Sequence, residues 1–463
     1  MRKKNSDAGS GDEWEKQSGF PCQKTGSDHQ KGVSPYESDR DSYYLELISE
    51  GLYRFKKGKL FIEEVCVEDI YSEFGTPVYV YSASYIKRQI EKLRNAFIMA
   101  SPLICYSMKA NGNMGVLSLV RKADCGVDIV SSGELAKALK AGFPADKIVF
   151  AGVGKTRQEI NDGLKAKIYL FTVESVEELR AIEQIAMKQR RIAGVSLRVN
   201  LDVDVDTHHY TKTSKKETKF GMPVDQVKSI ICNRKNFRHI DFKGIQFHLG
   251  SNIRVSGVYV LALEKLKKFL TGLNFMPPVI DIGGGFGIHY RNEQIEPIES
   301  FGKNICNFFL KNFPGVSMII EPGRFIVGNA GILLTRVIYN KKTPHKNFLI
   351  VDAGMNDLIR PSLYGSYHEI FASVKKKGSC VRYDVVGPVC ETGDFLCKDR
   401  MLPENLNSGD VLAVMSTGAY GFSMSSNYNG RPRAAEVVVS GNNVKCCRRR
   451  ERIEDLWTLE KTL

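Results

Sequence analysis

The 463-residue chain carries 66 Lys+Arg against 52 Asp+Glu, a formal net charge of +14, with 43% hydrophobic and 25% charged residues. That length allows two or three domains with a substantial core, and the composition is ordinary for a globular protein. No apolar run reaches the roughly 18 residues of a membrane span, and no apolar stretch follows the basic N-terminus, so neither a span nor a signal peptide is expected.

The 11 cysteines stand without Cys-x-x-Cys pairs or zinc spacing. Reduced thiols in a cytoplasmic protein, with no metal centre, are therefore expected. Basic residues fall in separate clusters, such as Lys212 to Lys219 and Arg448 to Arg450, with no nucleic-acid-binding motif to join them. They read as solvated surface, and no nucleic-acid partner is expected.

In chain order, residues 1–42 are polar, with hardly any aliphatic side chain, and are expected to form a disordered extension. Leu60-Phe61-Ile62 and Val65-Cys66-Val67 read as strands of a small β region over 43–75. Val78 to Tyr81 is a strand opening the next segment, 76–335. Ile86, Ile90, Leu93 and Phe97 then recur near helical period. Strands follow at 104–109, 126–131, 148–152, 168–173, 195–200, 244–249, 279–283 and 317–321, mostly separated by helical patterns. One such helix opens with a capping box, Ser131-x-x-Glu134. Eight βα repeats over about 220 residues match an α/β fold of (β/α)8 TIM-like barrel type. A doubly wound open sheet shares that periodicity. Over 336–463 strand-like runs joined by Gly, Pro and Asp turns replace the helices. This predicts a C-terminal β-sandwich or β-barrel domain that includes the N-terminal strands of 43–75.

In a barrel, chemistry gathers at the carboxyl ends of the strands. The first strand is an apolar run ending in Lys109, either a snorkelling surface group or an amine kept for chemistry. The second contains Asp128. The sixth carries His248 and continues into Gly250-Ser251-Asn252. The seventh runs into Gly283-Gly284-Gly285, where main chain without Cβ atoms approaches an anion or simply turns. The eighth ends Glu321-Pro322-Gly323-Arg324. Each has an ordinary reading alone: His248 as a core histidine, Glu321 as a salt-bridge partner of Arg324. Together an amine, a phosphate cradle, an imidazole and a carboxylate are the equipment for pyridoxal 5'-phosphate.

These motifs make the chain resemble the fold-type III pyridoxal-phosphate decarboxylases over roughly residues 43–440. Within them it is similar to the branch acting on meso-2,6-diaminopimelate. Tyr106-Ser-Met-Lys-Ala-Asn111 is similar to the cofactor-lysine motif, which implies that Lys109 bonds the cofactor aldehyde. His248-Leu-Gly-Ser251 resembles the ring-stacking histidine with its phosphate-side serine, and Gly283-Gly284-Gly285 the phosphate loop. Glu321-Pro322-Gly323-Arg324 resembles the segment whose glutamate meets the pyridine nitrogen and whose arginine meets the substrate carboxylate. Arg360-Pro-Ser-Leu-Tyr364 is similar to the segment that binds the distal end of the substrate. Cys390-Glu391-Thr-Gly-Asp394 resembles a Cys-Glu-Ser-x-Asp box, implying a proton donor in Cys390 and an anchor for the distal ammonium in Glu391. Tyr420 resembles a tyrosine that reaches cofactor and substrate.

The resemblance implies an alanine racemase-like fold and decarboxylation at the D centre to give L-lysine and CO2. It also implies a homodimer in which the Cys-Glu box comes from the neighbouring subunit. Two arginines suit a substrate with a distal carboxylate, which ornithine and lysine lack. Ornithine, arginine, D-lysine and carboxynorspermidine remain alternative substrates on the same scaffold. Thr213-Ser-Lys-Lys-Glu217 departs from the usual T-G-x-K-E of the family, and the leader is not part of its pattern.

Overall fold

The structure is a computed structural model that describes residues 36–203, 219–273 and 275–463, with main chain alone for 36–42. The expected disorder of residues 1–35, the departure at Thr213 to Glu217 and most of the basic cluster ending at Lys219 lie outside the described residues. The chain begins with α1 (Tyr36–Ser49), β1 (Tyr53–Lys56), β2 (Lys59–Ile62), β3 (Val65–Cys66), α2 (Val67–Phe74) and β4 (Val78–Ser82). An alternating region follows: α3 (Ala83–Ala96), β5 (Leu103–Ser107), α4 (Met114–Lys122), β6 (Gly126–Ile129), α5 (Ser132–Lys140), β7 (Ile148–Phe150), α6 (Arg157–Ala166), β8 (Leu170–Val173), α7 (Val176–Lys188) and β9 (Ala193–Asn200). It continues through β10 (Met222–Pro223), α8 (Val224–Cys232), β11 (Ile240–Gln246), α9 (Gly257–Thr271), β12 (Val279–Asp281), α10 (Ile298–Asn312), β13 (Ser317–Ile320) and the short α11 (Arg324–Val327).

All pairings along β5-β6-β7-β8-β9-β11-β12-β13 are parallel, and β13 pairs back onto β5 through Ile319↔Leu103 and Ile320↔Ile104. That last ladder closes the sheet into an eight-stranded barrel and excludes the open doubly wound alternative. Strands covered on both faces need no polar alternation, which is why β6, β7 and β8 are buried at every position. The helices are amphipathic and lie outside. In α3 the buried stripe Ile86, Ile90, Leu93 faces the core, and Ser82 caps its first turn by accepting from the Tyr85 N–H. Ser131 likewise accepts from the Glu134 N–H. The Glu134 carboxylate reaches back to the Val130 N–H, one residue short of a reciprocal capping box.

The second sheet is built from β14 (Gly331–Lys342), β15 (Asn347–Val351), β16 (Ile370–Ala372), β17 (Cys380–Val386), β18 (Phe395–Pro403), β19 (Val411–Val414), β20 (Ala435–Ser440) and β21 (Asn443–Arg448), with the five-residue α12 (Arg360–Tyr364) between β15 and β16. Its order is β18-β17-β15-β14-β4-β20-β21, with β19 paired to β14 and β16. The strand at Val78–Ser82, expected to open the barrel segment, thus lies at the centre of this other sheet. The reason is two-sided burial. Tyr79 and Tyr81 join the core shared with the barrel, while Val78 and Val80 join a second core with Leu60, Ile62, Ile332, Leu334 and Val437.

Two further expectations change. Among the described residues the first element is α1, whose Tyr36 start lies inside the stretch expected to be disordered. Within 43–75 the strands form their own three-stranded sheet, flanked by α1 and α2. That small sheet touches the larger one through the Lys59↔Val374 bridge and the Leu60 N–H donated to Ser373.

Helices α3 and α10 meet at Gly302, where a Cβ would stand 2.5 Å from the Ala96 carbonyl oxygen. Helix propensity alone predicts that Gly302→Ala stabilises by about 1 kcal/mol. The contact predicts the opposite sign, a loss of about 1–3 kcal/mol in urea unfolding.

Candidate active site

The barrel strands deliver their polar residues to one end. β5 stops at Ser107, and Lys109 sits in the 3-10 turn Met108–Ala110 rather than in the strand itself. That turn is clamped from two sides. The Ser107 N–H donates to the Pro322 carbonyl at 3.0 Å, and the Tyr420 N–H donates to the Ala110 carbonyl at 2.8 Å. Gly323 lets the first contact form, since a Cβ there would stand 3.0 Å from the Cβ atoms of Ser107 and Ala110. Pro322 and Gly323 therefore act through main-chain packing.

The Lys109 amine lies 2.5 Å from Asp128 Oδ2. The Ser107 hydroxyl bridges Asp128 Oδ2 at 2.9 Å and the Glu321 carbonyl at 3.0 Å. Asp128, Asp281 and Glu321 are all buried around this single ammonium. Burial, reinforced by Asp128, pushes the Glu321 carboxyl up to about 7, against the pull of Lys109. Burial and the neighbouring Glu321 carboxyl drive the Asp281 pKa well above its ordinary value. Burial lowers the Lys109 pKa, but Asp128, Glu321 and Tyr420 outweigh it, so the amine is held as ammonium. Asp128 Oδ1, Asp281 Oδ2, Glu321 Oε1 and Gln246 Oε1 are buried acceptors without a geometric partner. An acceptor-rich pocket with one amine fits a ligand that brings an aldehyde and a protonated ring nitrogen, as pyridoxal phosphate does.

His248 is half-buried beside this cluster. Its Nδ1 accepts from the Gly284 N–H at 3.4 Å, which leaves the ring proton on Nε2. Burial, with Arg198 and Lys109 nearby, holds its pKa well below the ordinary value, so the ring is neutral. The glycines beside it have a packing reason. A Cβ on Gly284 would fall 1.8 Å from the Glu321 carbonyl oxygen, and one on Gly285 would fall 2.1 Å from that of Gly250. Gly283 and Gly285 also have φ of +71° and +98°. Two of the loop's N–H groups are already engaged, that of Gly283 with Asp281 Oδ1 at 2.9 Å and that of Gly284 with His248.

A second group of buried side chains is cationic. Arg324 and Arg360 are both buried. Arg324 donates to Ser251 Oγ at 2.9 Å and to the Tyr290 phenol; Arg360 donates to the same phenol at 3.4 Å and to Ser366 Oγ at 3.2 Å. The Arg324 guanidinium stands 5.0 Å from the Tyr420 ring centre, and that of Arg360 6.0 Å from Tyr364. Neither has a carboxylate partner among the described residues, and the Nε of each is buried without an acceptor.

Cys390 and Glu391 are exposed, on a loop held by Asp394, which accepts from the N–H groups of Met355 at 2.6 Å and Val389 at 2.7 Å. Their neighbours are Asn429, which accepts from the Cys390 N–H, and Tyr428, which bonds Glu391. The structure brings the other expected residues together but leaves this pair on the surface. Sequence reasoning missed Tyr290 and Gln246 as parts of the site and left Asp281, at the end of the seventh strand, without a role. Gln246 and Asp281 are register neighbours on β11 and β12, a signal that needs the strand alignment. Tyr290 lies in coil, where no periodicity marks it.

Comparison with known proteins gives a consistent picture. Residues 83–328 match the family model described as pyridoxal-dependent decarboxylase, pyridoxal binding domain. The chain is 45% identical over 412 residues to diaminopimelate decarboxylase of Aquifex aeolicus, covering 88% of this chain and 97% of that one. The Helicobacter pylori diaminopimelate decarboxylase complexed with L-lysine superposes with a TM-score of 0.81 at 39% identity, covering 85% and 99% of the two chains. The M. jannaschii diaminopimelate decarboxylase with L-lysine gives 0.85 at 33% identity, covering 90% and 99%.

Glu321 carries a pH-dependent cost. From about 4.5 to about 7 the folded state holds a proton that the unfolded state has lost, so stability falls as pH rises through that window. In cofactor-free protein, the melting temperature of Glu321→Gln is expected to gain on wild type between about pH 5 and about pH 8. A constant gap would show that Glu321 titrates normally.

Proposed function

This chain belongs to the diaminopimelate decarboxylases, a family of pyridoxal-dependent enzymes, and from that premise we propose how its own residues perform the reaction. It decarboxylates meso-2,6-diaminopimelate to L-lysine and CO2 with pyridoxal 5'-phosphate as cofactor. The observation that carries the substrate reading is the pair of buried guanidiniums without a carboxylate, beside the acid cluster around Lys109 and sharing Tyr420 with it. Two buried cations without an anion are costly, and a ligand carboxylate supplies what is missing.

Bound at this mouth, the cofactor supplies an electron sink for the bond that breaks. Lys109 would hold its aldehyde, with Asp128 orienting the amine. Glu321 would meet the pyridine nitrogen and the neutral His248 the ring. Gly283, Gly284, Gly285, Ser251 and Arg324 would hold the phosphate, and Tyr420 would reach the cofactor and the substrate. Arg324, Arg360 and Tyr364 read the distal carboxylate, and Glu391 the distal ammonium. Cys390 Sγ delivers a proton to the carbon that loses CO2, at the D centre. The exposure of Cys390 and Glu391 supports a homodimer in which each subunit's loop completes its partner's site. The ten cysteines among the described residues are free thiols, and no described helix is long and apolar enough to cross a membrane. Both support a cytoplasmic location.

CO2 release from meso-diaminopimelate should exceed that from ornithine, arginine, D-lysine and carboxynorspermidine; a preference for any of these would displace the substrate reading. Lys109→Ala is expected to lose both the cofactor's imine absorbance and activity. Glu391→Ala should cost about 1.5–3 kcal/mol in kcat/KM, the worth of one charged hydrogen bond. Cys390→Ala should slow turnover with cofactor retained. Mixing it in equal amounts with Lys109→Ala, after subunit exchange, should restore about a quarter of wild-type activity, because each mixed dimer then has one intact site. No recovery would mean that the sites are not shared.

A further inference from the structure

Resting on the substrate reading above, we propose that Tyr290 is a specificity-determining residue: its phenol oxygen holds the Arg324 and Arg360 guanidiniums together as a preformed seat for the carboxylate at the non-reacting end of the substrate. No motif marks this tyrosine, and its position explains how two like charges share one buried corner. The phenol oxygen has two lone pairs, and one donor comes to it from each arginine. The guanidinium carbons also stand 5.7 Å and 5.5 Å from the centre of its ring, within cation–π range. The repulsion is real: burial and Arg324 together pull the Arg360 pKa down.

The tyrosine is itself locked at three points. The His368 ring meets it edge-on at 5.6 Å and 88°, and His368 is fixed in turn by the Met415 carbonyl at 2.9 Å. The Tyr290 N–H donates to Glu293 Oε2 at 2.9 Å. Its carbonyl accepts from the Tyr44 hydroxyl at 3.0 Å, so helix α1 reaches into the support of the site. A rigid acceptor of this kind means that little ordering cost remains when a carboxylate arrives. A ligand lacking that carboxylate leaves the same two cations buried and unmatched, and this is discrimination by an unmet partner.

L-lysine keeps the carboxylate of the non-reacting centre and cadaverine lacks it, so equilibrium titration of the holoenzyme with each, read by cofactor absorbance, isolates the seat. Tyr290→Phe removes one oxygen atom and keeps the ring contact. It is expected to weaken L-lysine by about tenfold or more and cadaverine by less than about threefold. The KM for meso-diaminopimelate should rise by a similar factor, with kcat changed less than about threefold. Unchanged or tighter L-lysine binding, or equal weakening of both ligands, overturns the proposal. Cadaverine binding also reports that the variant has folded around its cofactor. In an Arg360→Lys background the same Tyr290 change should cost L-lysine less than about threefold, since the pair is already broken; a full tenfold there overturns it too. If wild type releases no CO2 from meso-diaminopimelate, the substrate reading fails, while the L-lysine to cadaverine ratio still decides the role of Tyr290.

Discussion

The ion pair of Lys109 and Asp128 is the contact around which the barrel mouth is arranged. Asp128 is fully buried on β6, where the Lys109 ammonium touches one of its oxygens and the Ser107 hydroxyl supports it. Ser107 also reaches the Glu321 carbonyl, so one short stretch of β5 ties β6 to the segment after β13. That ladder closure makes the acid cluster possible. Without β13 against β5, Glu321 would not lie near Asp128 and Lys109. One ammonium stands among three buried carboxyls, and burial raises the pKa of Glu321 to about 7 and that of Asp281 well above its ordinary value.

The second sheet is part of the same device. The Lys109 turn is held from the barrel side by Pro322 and from the sheet side by Tyr420, Ser423 and the Gly418 carbonyl, which accepts from Asn111. β4 carries the chain from the N-terminal sheet into this interface and buries both of its faces, one in each core. The N-terminal region reaches the barrel through two phenols, Tyr44 to the Tyr290 carbonyl and Tyr53 to that of Asn329. Its helices and hairpin thus brace the site from outside, although none of its residues belongs to the acid cluster.

Much of this was legible in the sequence, for identifiable reasons. Parallel strands leave continuous apolar runs and their helices leave a 3.6-residue stripe, so the eight-fold alternation could be counted. The strand-end residues Lys109, His248 and Glu321 stood out because charge or imidazole at the end of an apolar run is costly. What was not legible depends on neighbours far apart in the chain. β4 looks like any short apolar strand, and only its pairing with β14 and β20 assigns it to the second sheet. The triple glycine looked like an anion cradle, yet the carbonyls of Glu321 and Gly250 already forbid side chains there. The Lys109 environment was also beyond reach, because its pKa is set by burial, which lowers it, against Asp128 on the next strand and Glu321, more than 200 residues away in sequence, which raise it.

The distribution of charge explains why these parts belong to one enzyme. On the Lys109 side buried carboxyls outnumber cations; on the Arg324 side buried cations have no carboxylate. Pairing the two groups would neutralise both, yet no ion pair joins them: Glu321 and Arg324 follow the same strand without bonding each other, and Arg360 comes from α12. Each side therefore retains an unmet partner, and burial makes that deficit expensive in a way that an exposed surface does not. A ligand that presents donors to one side and anions to the other lowers the energy of both at once. Its binding is therefore coupled to folding stability by mass action, since the unfolded chain has no such pair of deficits to satisfy.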